Sequence, residues 1–172
     1  EFGNPSSSTH RYGWVAKDAL ETARKQVAET VGAEEGEITF TSGATDAINQ
    51  AIVVVYQLFK GHKNHFITAV TEHKAVLDAH RFIEKEGAQL TYLSVDNNGL
   101  IDLKQLENSI TENTAMVSVM LANNETGVLQ DVKSIAQIVH QKNSVFFCDA
   151  VQALGKIPLN VNDLGIDIMP LS

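Results

Sequence analysis

The sequence predicts an α/β fold, a mainly parallel sheet with helices on both faces. Short runs rich in Val, Ile, Phe and Thr alternate along the chain with longer stretches whose apolar residues recur at helical spacing. Strands joined by helices of this length make parallel neighbours, because a parallel pair needs a long crossover. With 172 residues, 44% of them apolar, the chain can bury roughly 70% of its unfolded surface in a core of its own.

Taken in order, residues 14–31 place Ala16, Ala19, Leu20, Ala23, Val27 and Val31 on one helical face, with Gly32 where a C-cap is expected. A β-type run, residues 37–41, leads to the turn Ser42-Gly43-Ala44. Residues 45–59 then set strand-favouring Val53, Val54 and Val55 inside a stretch whose length and Ser/Thr start favour helix. Next come a strand at 65–70, a helix at 75–86 closed by Gly87, and a strand at 89–94. The turn Asp96-Asn97-Asn98-Gly99 precedes a helix near 102–110. A strand at 115–121, a helix at 132–142, a strand at 144–148 and a last strand-like run at 166–171 complete the pattern.

Thirteen Lys and Arg against 21 Asp and Glu leave a net charge of -8. No basic patch is present to neutralise a run of phosphates, so nucleic acid is a poor partner. The single cysteine, Cys148, excludes a disulfide framework and a pair of thiolate ligands, and suits a reducing, cytoplasmic setting. No apolar run approaches the roughly 20 residues that cross a bilayer, and residues 1–10 are polar and Ser-rich, unlike a signal peptide. The chain opens in what reads as a loop and stops at Ser172, directly after a hydrophobic run, which suggests a piece of a larger domain.

In open parallel sheets ligands bind beyond the carboxyl ends of the strands. Four such ends carry polar clusters: Thr41-Ser42-Gly43-Ala44-Thr45, Thr71-Glu72-His73-Lys74, Asn123-Asn124-Glu125-Thr126-Gly127 and Asp149-Ala150-Val151-Gln152. The first joins a strand, a small-residue turn and a helix start, a geometry that aims free N–H groups and a helix dipole at an anion such as phosphate. Neither Walker A nor GxGxxG is present. The alternative is that Thr45 merely caps its own helix. Asp149 follows the apolar run Val145-Phe146-Phe147-Cys148, so its carboxylate is expected to be buried and to need a cation. No Lys or Arg lies just upstream and Lys156 comes seven residues later, so a protonated pyridine nitrogen of a ligand would serve, with a helix N-cap as the structural alternative. His73 is either structural or an acid–base group on an exposed rim. His62 and His65 lack a nearby carboxylate or Cys to complete a metal site and read as solvated; no metal is expected. Cys148 reads as a small core residue.

Together and in order, Gly3-Asn4-Pro5-Ser6, His10-Arg11-Tyr12-Gly13, Phe40-Thr41-Ser42-Gly43-Ala44-Thr45, Thr71-Glu72-His73-Lys74-Ala75-Val76-Leu77, Asn123-Asn124-Glu125-Thr126-Gly127 and Asp149-Ala150-Val151-Gln152 resemble the cysteine desulfurases. These are class V aminotransferase relatives with pyridoxal 5'-phosphate on a fold type I scaffold, which turn L-cysteine into L-alanine and pass a persulfide sulfur to iron–sulfur cluster assembly. The resemblance implies Ala44 and Thr45 at the phosphate, Asp149 at the pyridine nitrogen and Gln152 at the phenolic oxygen. It implies Asn124 near the ring edge and substrate carboxylate, His73 against the ring as a proton-transfer group, and Ser172 as a further phosphate ligand. It also implies a homodimer and an iron–sulfur scaffold or other sulfur-acceptor protein as partner.

The same resemblance expects a Schiff-base Lys three residues after Ser172, a loop with the persulfide Cys, a substrate-binding Arg, a small C-terminal domain and a segment before Gly3. None of these lies within the 172 residues. Residues 1–172 therefore read as an incomplete large cofactor-binding domain, expected to be inactive alone. A selenocysteine lyase, another class V aminotransferase, or a non-catalytic cofactor-binding module are the alternatives.

Overall fold

The computed structural model describes residues 3–7 and 9–172; Glu1, Phe2 and Ser8 of the polar N-terminal stretch lie outside the described residues. Four strands form one sheet in the order β2-β1-β3-β4: β1 His65–Ala69, β2 Gln89–Leu93, β3 Thr114–Ser118 and β4 Val145–Phe147. Every pairing is parallel. Ile67 stands opposite Thr91 on one side and Val117 on the other, and Val117 opposite Phe146.

Alternate residues of these strands feed two apolar layers, as the two-residue period of a strand requires. On one face Phe66, Met116 and Phe147 pack with Ile48, Ile52, Val55 and Tyr56 of α2 (Ala44–Phe59) and with Val76, Ala79 and Ile83 of α3 (Lys74–Lys85). On the other, Ile67, Val117 and Phe146 pack with Leu106 of α4 (Leu103–Ser109) and with Ile135, Ala136 and Val139 of α5 (Val132–Gln141). The sheet is thus covered on both faces, as expected.

The three consecutive valines in α2 show why periodicity outweighs propensity there. Val55 is buried while Val54 is half exposed, and the buried set Ile48, Ile52, Val55, Tyr56 follows helical spacing. Burying that stripe against the sheet outweighs the small helix penalty of β-branched residues.

Contacts divide the chain into two compact units, Glu1–Phe40 and Thr41–Ser172. The first carries α1 (Arg11–Val31), three residues longer at its start than the spacing predicts because His10 caps it, Nδ1 accepting the Gly13 N–H at 3.1 Å. Gly32 closes it in the left-handed conformation, φ 73°.

One strand expectation does not hold, and one holds in part. Residues 37–41 begin in a 3-10 turn, Glu35–Glu37, held by a reciprocal capping box between Glu34 and Glu37, and the Ile38 carbonyl is taken by Arg24 instead of a neighbouring strand. Residues 166–171 run parallel beside β4, Ile168 N donating to the Phe146 carbonyl and the N–H groups of Cys148 and Ala150 donating to the carbonyls of Ile168 and Pro170, though they make a single bridge, Phe147 to Ile168. There the Asp167 side chain accepts the Phe146 N–H at 2.7 Å, and Pro170 has no N–H to offer a ladder. A short helix, α6 (Val161–Leu164), capped by Asn160, goes unpredicted because four residues carry no period. His65 is not solvated: it is buried in β1, with Nδ1 2.8 Å from Thr114 Oγ1 and Nε2 2.9 Å from Thr91 Oγ1, and burial lowers its pKa.

Candidate functional site

The sheet order creates a crevice. From β1 the chain leaves through α3 on one face toward β2, and from adjacent β3 it leaves through α5 on the opposite face toward β4. Loops that diverge from neighbouring parallel strands open a gap at their carboxyl ends. A cleft of about 120 Å³ lies there, lined by Ala44, Thr45, His73, Met120, Asn124, Asp149 and Gln152, with Ile48 and Val151 beneath and beside them.

One wall is the start of α2. Its N-cap, Gly43, has φ 154° and provides no side chain, so the first N–H groups of the helix go uncapped. Thr45 is therefore not the cap; it sits inside the first turn, and its hydroxyl has no protein partner among the described residues. Asp46 faces away from this role, since its carboxylate accepts from Ser42 N, Ser42 Oγ and Gln50 Nε2, bonds that lower its pKa. The result is a helix terminus with unused donors, a place suited to an anion.

Asp149 forms another wall. It is 4% exposed and follows β4, where Cys148 is fully buried. The chain turns after it instead of starting a helix, and Asp149 Oδ1 accepts the Val151 N–H at 3.0 Å. Burial raises its carboxyl pKa, against the Val151 hydrogen bond and the nearby His73 imidazole. Among the described residues, no Lys or Arg lines the cleft. A buried carboxylate with one backbone donor and no protein cation is a receptor for a cationic ligand group.

His73 is exposed at the rim, and it also caps α3, Nδ1 accepting the Ala75 N–H at 3.2 Å. The neutral ring consequently carries its proton on Nε2 and enters the cleft as a donor. Gln152 has its Oε1 engaged by Lys156 Nζ at 2.7 Å, which leaves its NH2 group as the available donor. Asn124 is held by its neighbour: Asn123 Oδ1 accepts from Glu125 N, Thr126 N and Thr126 Oγ1, and its Nδ2 donates to Thr71 O at 3.0 Å.

Ala44, Thr45, His73, Asn124, Asp149 and Gln152, separated by more than a hundred positions, thus share one cleft. Ser172 does not line it. That residue is exposed and lies two positions beyond Pro170, whose carbonyl accepts the Ala150 N–H at 3.3 Å. Residue patterns also passed over Met120, which lines the cleft, Asn123, which shapes its loop, and Glu72, 6% exposed with Oε1 on the Met120 N–H at 2.8 Å. Glu72 and Asn123 stand within the polar strand-end clusters, which was the available signal; Met120 carries none.

The aminotransferase class-V family matches residues 1–172. The chain is 50% identical over 171 residues to a probable mitochondrial cysteine desulfurase of Dictyostelium discoideum, covering 99% of this chain and 38% of the relative. It is 49% identical over 172 residues to the cysteine desulfurase IscS of Rickettsia massiliae, covering all of this chain and 42% of the relative. The chain therefore spans about two fifths of the length of these curated relatives. Among solved structures, a NifS-like protein superposes with a TM-score of 0.94 at 39% identity, over 98% of this chain and 46% of the other. SspA in complex with cysteine superposes with a TM-score of 0.95 at 36% identity, over 99% and 49%.

Proposed function

Because the chain belongs to the aminotransferase class-V family, we propose that the protein is a pyridoxal 5'-phosphate-dependent cysteine desulfurase that converts L-cysteine to L-alanine and hands the sulfur to iron–sulfur cluster assembly. The observation that carries this is Asp149, a buried carboxylate with no protein cation, in one cleft with an uncapped helix N-terminus. One end of the site suits a phosphate and the other a protonated ring nitrogen, which is the donor set the cofactor calls for. The relatives named as cysteine desulfurases support the choice of substrate.

In this reading the N–H groups of Ala44 and Thr45 and the Thr45 hydroxyl hold the phosphate, and Asp149 keeps the ring nitrogen protonated. Gln152 donates from its amide to the phenolic oxygen, and Asn124 stands at the ring edge beside the substrate carboxylate. His73, lining the cleft with Nδ1 on the Ala75 N–H, would hold or move a proton at Nε2. When bound, pyridoxal phosphate supplies an electron sink that stabilises negative charge at the substrate Cα. The chain's own contribution is electrostatic: Asp149 maintains the positive charge that makes such a sink effective, and the low-dielectric walls formed by Ile48 and Met120 strengthen it. Cys148 is no sulfur carrier in this scheme, because burial raises its thiol pKa well above the ordinary value, with Glu72 and Asp149 adding to the effect.

Residues 1–172 form part of the large cofactor-binding domain in this scheme, and the working protein is a homodimer that meets a sulfur-acceptor protein. Its location is the cytoplasm, or the mitochondrion that the name of the Dictyostelium relative raises. The test is to incubate the intact protein with pyridoxal phosphate, L-cysteine and a thiol reductant and to measure alanine and sulfide. Equal, catalytic yields of both are expected. Cofactor-loaded protein that releases neither would overturn the assignment, and a preference for selenocysteine would move it to the lyase.

A further inference from the structure

Glu72 follows β1 by three residues and directly precedes His73, but its side chain is buried. Oε1 accepts the Met120 N–H at 2.8 Å, and Oε2 is closed off from solvent with no partner among the described residues. Where the chain continues past β3, the N–H groups of Val119 and Leu121 donate to the carbonyls of Phe147 and Asp149, at 3.1 and 3.0 Å. Successive N–H groups of an extended chain point to opposite sides, so the Met120 N–H faces the β1 side. There β1 has already ended at Ala69. The Glu72 carboxyl replaces the missing strand carbonyl, and it ties the loop that carries His73 to the segment whose other edge holds the Asp149 main chain.

An ionised carboxylate with a bare, buried oxygen is far costlier than a neutral acid in the same place. Burial pushes Glu72 up to about 8, opposed by the Met120 N–H and reinforced by the like charge of Asp149. The surrounding titratable groups are Asp149 and Cys148 from the end of β4, His73 and Lys74 from the start of α3, and Glu125 from the loop after β3. Lys74 is ion-paired with Asp78, and His73 bears on Asp149. Among the described residues, Glu72 is left without a cation.

We propose that Glu72 is the positioning residue of this cleft, a proton-carrying acid that bridges the β1–β3 gap and leaves Asp149 as the carboxylate that meets the ligand. This rests on the cofactor reading above for what Asp149 meets.

Glu72→Gln and Glu72→Ala in the intact protein test it. Before cofactor is added, the infrared difference between wild type and Glu72→Gln near neutral pH is expected to show a protonated-carboxyl stretch, lost from the wild type as pH rises past about 8. A raised acid pKa makes stability fully present below the ordinary value of 4.5 and lost as pH climbs through 8. Glu72→Gln, which keeps an acceptor for Met120 and cannot ionise, should melt with the wild type at the acid end of that window and increasingly above it at the alkaline end. Glu72→Ala should bind pyridoxal phosphate about tenfold more weakly, the equivalent of one lost hydrogen bond of about 1.4 kcal/mol, and Glu72→Gln should restore the affinity. Absence of the carboxyl band, a Glu72→Gln melting profile parallel to that of the wild type, or an Ala variant with wild-type affinity overturns the proposal. Failure of the wild type itself to bind pyridoxal phosphate overturns the cofactor reading instead, while the infrared and melting results still decide the state of Glu72.

Discussion

Replacing Asp149 with Asn separates the charge of that side chain from its shape. The Asn carbonyl can still accept the Val151 N–H that Asp149 Oδ1 accepts at 3.0 Å, so the turn after β4 keeps its hydrogen bond. What disappears is a negative charge at a position only 4% exposed. A hydrogen bond to an ionised partner contributes about 1.5–3 kcal/mol, so affinity for pyridoxal phosphate should fall roughly ten- to a hundredfold. The apo protein should not weaken at neutral pH. Because the carboxyl pKa is raised by burial, its stabilising effect is present below the ordinary carboxylate pKa and lost above it, and an amide escapes that loss. Titrating wild type and Asp149→Asn with pyridoxal phosphate, followed by absorbance or fluorescence, gives the affinities; thermal melts without cofactor give the stabilities. An affinity unchanged within about twofold, or a stability loss that tracks the affinity loss, would refute the assignment of Asp149 as the ring-nitrogen partner.

Two further outcomes are expected. Ile52→Ala, at a fully buried position of α2 against the sheet, should cost about 2–5 kcal/mol and lower the urea midpoint of unfolding without a change in slope. His80 is fully buried in α3, Nδ1 on the Val76 carbonyl at 2.9 Å, and burial lowers its pKa to about 4. The unfolded chain takes up a proton first as pH falls from 6.5 toward 4, so this residue should destabilise the fold by about 3 kcal/mol at the acid end of that window; melting curves of His80→Gln should be flatter there.

Helices with a clear apolar stripe were legible from spacing alone, because the same stripe that marks α3 or α5 in the sequence is the one buried against the sheet. Residues 37–41 form no strand, and residues 166–171 form only a parallel run beside β4 with a single bridge, for one reason. A strand is a pairwise object, and β-type composition cannot reveal that Arg24 or the Asp167 side chain has already taken the partner's place. At the cleft, polar residues after strands pointed to Ala44, Thr45, His73, Asn124, Asp149 and Gln152, because parallel topology collects strand ends on one rim. Spacing could not show that Thr45 would be left uncapped, that Asp149 would begin a turn, or that Glu72 would turn inward. The first two depend on local backbone geometry that spacing does not encode, and the third on a hydrogen bond between Glu72 and Met120, 48 positions apart.

The all-parallel order β2-β1-β3-β4 also governs when the cleft can come into being. Among the described residues no two strands are joined by a hairpin, and β1 meets β3 across 49 positions, from His65 to Thr114. Closing such long loops before any pairing rewards them makes folding slow, and β1 stays with an open edge until β3 reaches it. During synthesis that edge is exposed while the intervening residues are added. Asp149 follows β4, so the cleft gains its buried carboxylate only once β4 has paired with β3.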